Sequence, residues 1–354
     1  MREPVTVACA QLEPVVLDRD ATIEKLAAGA AEAAGKGAQL AVFPEAFVPA
    51  YPSSTWAKAL AGWSDDGAKE AFALFAREAV EIPGPAERRL GEIAREHELW
   101  LVTGVTERDP ARPGTLYNTL LYHSPEGTLA LKHRKLVPTN HERLVWGPGD
   151  GSGLETIETP LGRIGGLICW ENYMPLARTA LYAQGVDVYL APTWDNSDVW
   201  VPTLRHIARE GRTYVIGVTS CIRAADLPAD LPGRAALYHD PASGDGGGDR
   251  GDWLSRGNSA IIGPGGEVLA GPLIGEEGIL CAEIDARQAR AGRQQFDPIG
   301  HYGRSDVFRL HVDTSPRPAV VETSDTSLTQ ATAAPQNGAV PHVAAQHVAA
   351  QNSE

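Results

Sequence analysis

Short apolar runs recur along this chain, and segments with helical spacing lie between them. Residues 5–12, 40–44, 99–106, 163–169, 186–190, 214–219 and 279–284 read as strands, too short and too apolar for surface helices. Residues 18–36, 68–80, 86–97, 175–184 and 202–211 read as helices. In the first of these Ile23, Leu26, Ala27 and Ala30 share one face, and Gly37 ends it. Pro175 suits a first helical turn, where its missing N–H is not needed. Ser124-Pro125-Glu126-Gly127 and Gly263-Pro264-Gly265-Gly266 read as hairpin turns, the first between residues 117–123 and 128–136, the second between 259–262 and 268–270. Strands alternating with helices, with hairpins added, point to an α/β protein with mixed sheets. Two such sheets packed face to face between helical layers suit a chain of 354 residues.

Residues 1–314 are expected to form one domain, and two stretches fall outside its pattern. Residues 224–256 contain Gly244-Asp245-Gly246-Gly247-Gly248-Asp249 and several prolines, which predicts a surface insertion. Residues 315–354 are rich in Pro, Thr, Ala and Gln and end in a tandem His-Val-Ala-Ala-Gln repeat. A tail of this composition cannot offset its ordering entropy and is expected to be disordered.

The net charge of −14 argues against a nucleic-acid or anionic-membrane binder, which needs a positive surface. No apolar run approaches the roughly 18–20 residues that span a bilayer, and the N-terminus lacks a signal-peptide core. The four cysteines, Cys9, Cys169, Cys221 and Cys281, form no CxxC pair and are too sparse for a disulfide scaffold. A cytoplasmic protein with reduced thiols is expected.

Four side chains carry chemical potential. Cys169 ends an apolar run and precedes a helical segment. A helix N-terminus there would lower its thiol pKa. The other three cysteines sit inside apolar runs and read as small core residues. Glu45 ends the run Val42-Phe43-Pro44, where desolvation would raise a carboxyl pKa toward a useful range for proton transfer. Lys135 near a strand end can supply a fixed positive charge. Glu142, in Asn140-His141-Glu142-Arg143, is unremarkable alone.

Together these segments resemble the nitrilase superfamily, and within it the true nitrilase branch. The resemblance rests on Phe43-Pro44-Glu45-Ala46-Phe47, His133-Arg134-Lys135-Leu136 with Pro138-Thr139 and Glu142-Arg143, and Cys169-Trp170-Glu171-Asn172. Trp146 to Gly151 and Asp297 to Asp306 extend it, over roughly residues 4–313. Ser305 stands where the family usually has proline. The resemblance implies a four-layer αββα sandwich, with self-association to dimers and spiral homo-oligomers. It implies Cys169 as nucleophile, Glu45 as general base, Lys135 with the Trp170 backbone N–H as stabilisers of the tetrahedral intermediate, and Glu142 as the residue that positions Lys135 and helps proton transfer. It implies no metal and no cofactor.

The expected reaction is hydrolysis of a small-molecule nitrile to a carboxylic acid and ammonia through a thioimidate and a thioester. A cyanide dihydratase or an aliphatic amidase of the same superfamily would share these residues. Tyr51, Trp170, Pro192 and Trp194 lie near strand ends and are expected to line the substrate pocket. His141 and His301 read as structural hydrogen-bonders.

Overall fold

The apolar runs are continuous because the strands they form are covered on both faces. The structure, a computed structural model, describes residues 4–231 and 253–318. The first sheet holds β1 (Val5–Gln11), β2 (Ala38–Val42), β3 (Val80–Glu81), β4 (Trp100–Arg108), β5 (Leu116–His123) and β6 (Leu129–Arg134). The second holds β7 (Ile157–Thr159), β8 (Gly162–Gly166), β9 (Val188–Thr193), β10 (Tyr214–Thr219), β11 (Cys221–Arg223), β12 (Trp253–Ile262) and β13 (Val268–Ile274). The chain then returns as β14 (Gly278–Ile284) to the first sheet, whose order is β14-β1-β2-β4-β5-β6 with β3 beside β4. The second sheet runs β11-β12-β10-β9-β8-β7 with β13 beside β12.

Alternate residues of each strand enter different cores, as period-2 geometry demands. Val7, Leu40, Val102 and Leu120 of the first sheet meet Ile164, Leu190, Ile216 and Ile261 of the second in one buried cluster. The opposite face of the first sheet packs Ala8, Ala41, Leu101 and Leu121 under Leu26 of helix α1 (Arg19–Gly35) and Ile93 of the helix Pro85–Glu96. Helices α2 (Ser54–Leu60) and α3 (Asp66–Glu78) precede α4 (Pro85–Glu96). The outer face of the second sheet packs Tyr189, Val215 and Ala260 under α5 (Pro175–Ala183) and α6 (Trp200–Gly211). The layers are therefore α, β, β, α. At about 1.5–3 kcal/mol for each fully buried aliphatic side chain, the shared inter-sheet cluster is enough to hold the strand ends of both sheets against each other.

Every expected strand is present, with bounds shifted by a few residues. The main correction at a functional position concerns residues 163–169. The strand stops at Gly166, and Cys169 opens a separate 3-10 turn, Cys169–Tyr173. Helix α2 was not expected; it starts directly after Ser53, its N-cap. The expected insertion narrows at both ends. Leu227 and Leu231 are buried in an apolar cluster, and residues from Trp253 onward belong to β12. Its Gly-rich centre lies outside the described residues, as does the tail beyond residue 318. The segment up to Arg317 belongs to the same compact unit; Arg317 donates to Asp150 (2.8 Å) and accepts from Arg112 (2.9 Å). No helix among the described residues is long and apolar enough to cross a membrane.

Candidate active site

Glu45 sits on an arch thrown up by β2. Phe43 still pairs with Val102 of β4 (2.8 Å), and Val48 rejoins it at Gly104 (3.2 Å). Between them the chain bulges, with Ala46 in the left-handed region at φ 44°. Gly104 makes this possible: a Cβ there would stand 2.2 Å from the Pro44 carbonyl oxygen and 2.8 Å from the Glu45 Cα. Lys135 follows the end of β6, its N–H bonded to the Asn118 carbonyl (2.8 Å). Glu142 lies in the 3-10 turn Asn140–Leu144, where the Thr139 N–H donates to its carboxylate (2.8 Å).

These three side chains form one buried cluster. The Lys135 Nζ lies 2.7 Å from Glu45 Oε1 and 2.7 Å from Glu142 Oε2. Glu45 Oε1 also accepts from the Asn118 amide (2.7 Å), and Oε2 accepts from the Trp194 backbone N–H (2.7 Å). The Tyr51 hydroxyl donates to Glu142 Oε1 (2.6 Å). Burial pushes the Glu45 carboxyl above its ordinary range, against the pull of Lys135. Burial alone would lower the Lys135 pKa, but Glu45 and Glu142 outweigh it and hold the ammonium charged.

Cys169 arrives from the second sheet. After β8 ends, the Leu167 N–H still bonds the Leu190 carbonyl (3.0 Å), and then the chain leaves the sheet. Cys169 adopts φ 53°, a conformation L-residues rarely take and one that costs about 1 kcal/mol or more. The Asn172 amide fixes the turn by donating to the carbonyls of Leu167 (2.9 Å) and Cys169 (2.8 Å), and Tyr189 donates to its oxygen (2.8 Å). The Thr193 hydroxyl donates to Cys169 Sγ (3.1 Å). The thiol is only 3% exposed. Burial pushes its pKa up, and the Glu45 charge adds to that. This reverses the expected lowering: α5 starts six residues on, too far for its dipole to win over desolvation.

The structure brings Glu45, Lys135 and Glu142 together, and Thr193 and Trp194, adjacent at the end of β9, link Cys169 to them: the Thr193 hydroxyl bonds the thiol and the Trp194 N–H bonds Glu45. It is a set in which a carboxylate can take a thiol proton beside a fixed cation. Tyr51 and Trp194 stack over it, ring centroids 4.5 Å apart at 10°. Tyr51 also meets Trp146 edge-on at 5.7 Å. Pro192 is buried in β9; its missing N–H faces the side from which β8 has already departed, so no ladder bond is lost. The expectation for Trp170 needs correction at the side chain. In the 3-10 turn Cys169 and Glu171 point inward and Trp170 outward, 52% exposed, with its indole N–H on Asp195 (3.0 Å). Asn118, Thr193, Glu171 and His133 were not singled out. Thr193 had a signal, lying between the two residues marked as pocket wall, and Glu171 and His133 stood inside the motifs around Cys169 and Lys135; Asn118 had none. Among the described residues, no group of three or more His, Cys, Asp or Glu side chains is arranged to hold a metal ion.

Residues 6–294 match the carbon–nitrogen hydrolase family. An aliphatic nitrilase of Sinorhizobium fredii is 44% identical over 314 residues, covering 89% of this chain and 97% of that protein. Nitrilase 1 of Arabidopsis thaliana is 39% identical, covering 89% of each. The crystal structure of Saccharomyces cerevisiae Nit3, a member of branch 10 of the nitrilase superfamily, superposes with a TM-score of 0.64 at 22% identity. It covers 85% of this chain and 97% of that one, a likeness of fold. This chain belongs to the carbon–nitrogen hydrolase family, and within it to the nitrilase branch.

Proposed function

We propose that this chain is a nitrilase that converts an organic nitrile and two waters into a carboxylic acid and ammonia, with Cys169 as nucleophile. The observation that carries the reading is the buried Glu45–Lys135–Glu142 cluster beside a thiol held on a left-handed turn. Glu45 takes the thiol proton as sulfur attacks the nitrile carbon, and the proton passes to nitrogen, giving a thioimidate. Water, deprotonated by Glu45, adds to that carbon. Lys135 and the Trp170 backbone N–H stabilise the tetrahedral species. The nitrogen takes both protons of that water, one relayed by Glu45 and the other from the new hydroxyl as it becomes the carbonyl, and leaves as ammonia, breaking the C–N bond and leaving a thioester. A second water then cleaves the thioester and returns the proton to sulfur. Glu142 accepts from Lys135, Thr139 and Tyr51 and so keeps the ammonium aimed. A panel of aliphatic, aromatic and arylacetonitriles, cyanide and the matching amides tests this, with products identified. The name of the Sinorhizobium relative makes aliphatic nitriles the first to try. Rapid amide hydrolysis with inert nitriles would overturn the reading.

The thiol must lose its proton to Glu45, so kcat/KM falls as Glu45 is protonated. Burial raises that pKa, and the acid limb should lie above the ordinary value of about 4.3. The Asn118 hydrogen bond pulls the other way, so Asn118→Ala should move the limb to still higher pH. A limb at the ordinary value, unmoved by that change, would exclude Glu45 as the base.

Self-association to dimers, the step on which spiral homo-oligomers would build, is supported by one face. Trp170, Tyr173, Leu176 and Val199 are exposed together around the ends of α5 and α6. Between them lies a groove of about 440 Å³ lined by Tyr173, Pro175, Val199, Pro202 and Ile207, among others. A clustered apolar patch of this kind favours a protein partner, here a second copy. Leu176→Glu should shift the protein to monomers in sedimentation velocity; an unchanged assembly would place the interface elsewhere. All four cysteines are free, which suits a reducing compartment such as the cytoplasm.

A further inference from the structure

We infer that His133 and Glu171 form a buried clamp that holds the lysine of one sheet in register with the thiol of the other, and that both are positioning residues for the reaction. The inference rests on the nitrilase reading above. Glu171 is on the turn that opens with Cys169; His133 is on β6, two residues before Lys135. Glu171 Oε2 accepts from the backbone N–H of Ile168 (2.7 Å), the residue just before the thiol. Its Oε1 accepts from the N–H of Leu136 (2.6 Å), the residue just after the lysine. One carboxylate thus ties together the chain segments on which both reacting groups stand. His133 Nε2 closes the arrangement at 3.0 Å from Oε2.

The hydrogen-bond partners fix the charge of the ring. His133 Nδ1 lies 3.1 Å from the Gly153 carbonyl, which can only accept, so Nδ1 must carry a proton. Nε2 faces a carboxylate oxygen, also an acceptor, so it carries one too. The ring is an imidazolium and the pair is ionic. Gly153 permits the approach: a Cβ there would stand 2.4 Å from the Lys132 carbonyl oxygen and 2.7 Å from the His133 Cα. Burial disfavours both charges, but His133 and two amides hold Glu171 below its usual range, and Glu171 holds His133 above its own.

A buried ion pair is weak evidence for stability, because a packed apolar pair often does as well. Register is the better account. A displacement of about 1 Å between reacting groups can lower a rate about 10²-fold. The opposite face of β6 is pinned within the first sheet, Lys132 (2.8 Å) and Arg134 (2.6 Å) both reaching Glu107 on β4, whereas Glu171 and His133 tie the same strand end to the second sheet.

The test compares Glu171→Gln, His133→Gln and the double variant. It measures kcat, KM and Tm on the preferred nitrile, and the rate at which iodoacetamide alkylates Cys169. Each single change should lower kcat about 10²-fold with KM within about threefold. The double variant should be no worse than Glu171→Gln, since the two act as one unit. If Glu171→Gln fails to fold, His133→Gln alone decides, because it leaves both amide bonds to Glu171 in place. Folded variants with kcat within threefold of the parent, or losses that multiply in the double variant, would overturn the clamp. Should the parent prove inert toward nitriles, the nitrile reading fails separately. Alkylation of Cys169 then still tests the clamp: a rate unchanged in the variants would overturn it.

Discussion

Cys169→Ala should fold like the parent and release no ammonia from any nitrile above chemical background. Loss of a covalent nucleophile removes on the order of 10⁶ in kcat, because neither Glu45 nor Lys135 can replace a bond to carbon. Stability should change little. Alanine keeps the Cβ and the left-handed φ of 53°, so the backbone strain is the same in both. What is lost is a few sulfur contacts and the acceptor of the Thr193 hydroxyl, about 1–2 kcal/mol. Cys169→Gly relieves the strain and should be equally inactive, which separates the conformation from the chemistry. Intact-mass spectra provide the direct check. With a slowly turned-over nitrile the parent should carry the mass of a thioimidate or acyl group, and neither variant should. Turnover by Cys169→Ala within a hundredfold of the parent would remove the thiol from the mechanism.

The arrangement around Cys169 shows where the residues spoke plainly in the sequence and where they did not. The central strands were legible because both of their faces are buried, so Val7 and Ala8, or Leu101 and Val102, are apolar in succession while entering different cores. Glu45, Lys135, Glu142 and Cys169 stood out through the motifs around them. Their neighbours did not. Asn118 lies on β5, 73 residues from the Glu45 it bonds, and nothing local marks it. Glu171 and His133 lay inside quoted motifs, but their pairing is a contact between sheets, 38 residues apart in the chain. The direction of the Cys169 shift was misread for a related reason. A nearby helix start is visible in sequence, whereas depth of burial is a property of the packed sandwich, and here desolvation outweighs the dipole. The side chain of Trp170 was expected in the pocket because the residue lies near a strand end; in the 3-10 turn, with three residues per turn, it shares the outward side with Tyr173, which the strand reading of residues 163–169 concealed.

Lys135→Ala should lose both turnover and stability, and the two losses should separate in a double variant. Lys135 is the cation between two carboxylates whose side chains are 0% exposed. Removing one partner of a buried ion pair costs about 3–5 kcal/mol, since the remaining charge stays desolvated. The surviving donors soften this. Asn118 and the Trp194 N–H still serve Glu45, and Tyr51 and the Thr139 N–H still serve Glu142. One shared proton would soften it further. In that variant the folded pKa of a carboxyl stands above its unfolded value of about 4.3, so the native state binds the extra proton between the two. Stability must then fall as pH rises through that interval and recover as pH drops, which thermal melts at several pH values would show. Turnover should drop by about 10²–10³ from loss of the fixed charge alone, and this loss should persist at every pH. Lys135→Ala/Glu142→Gln removes one of the stranded charges. It should regain part of the melting temperature and none of the activity. If the double variant melts no higher than the single one, the loss comes from the cavity left by the lysine and not from unpaired charge. If Lys135→Ala turns over nitriles at near-parental rate, the cation has no part in stabilising the tetrahedral intermediate.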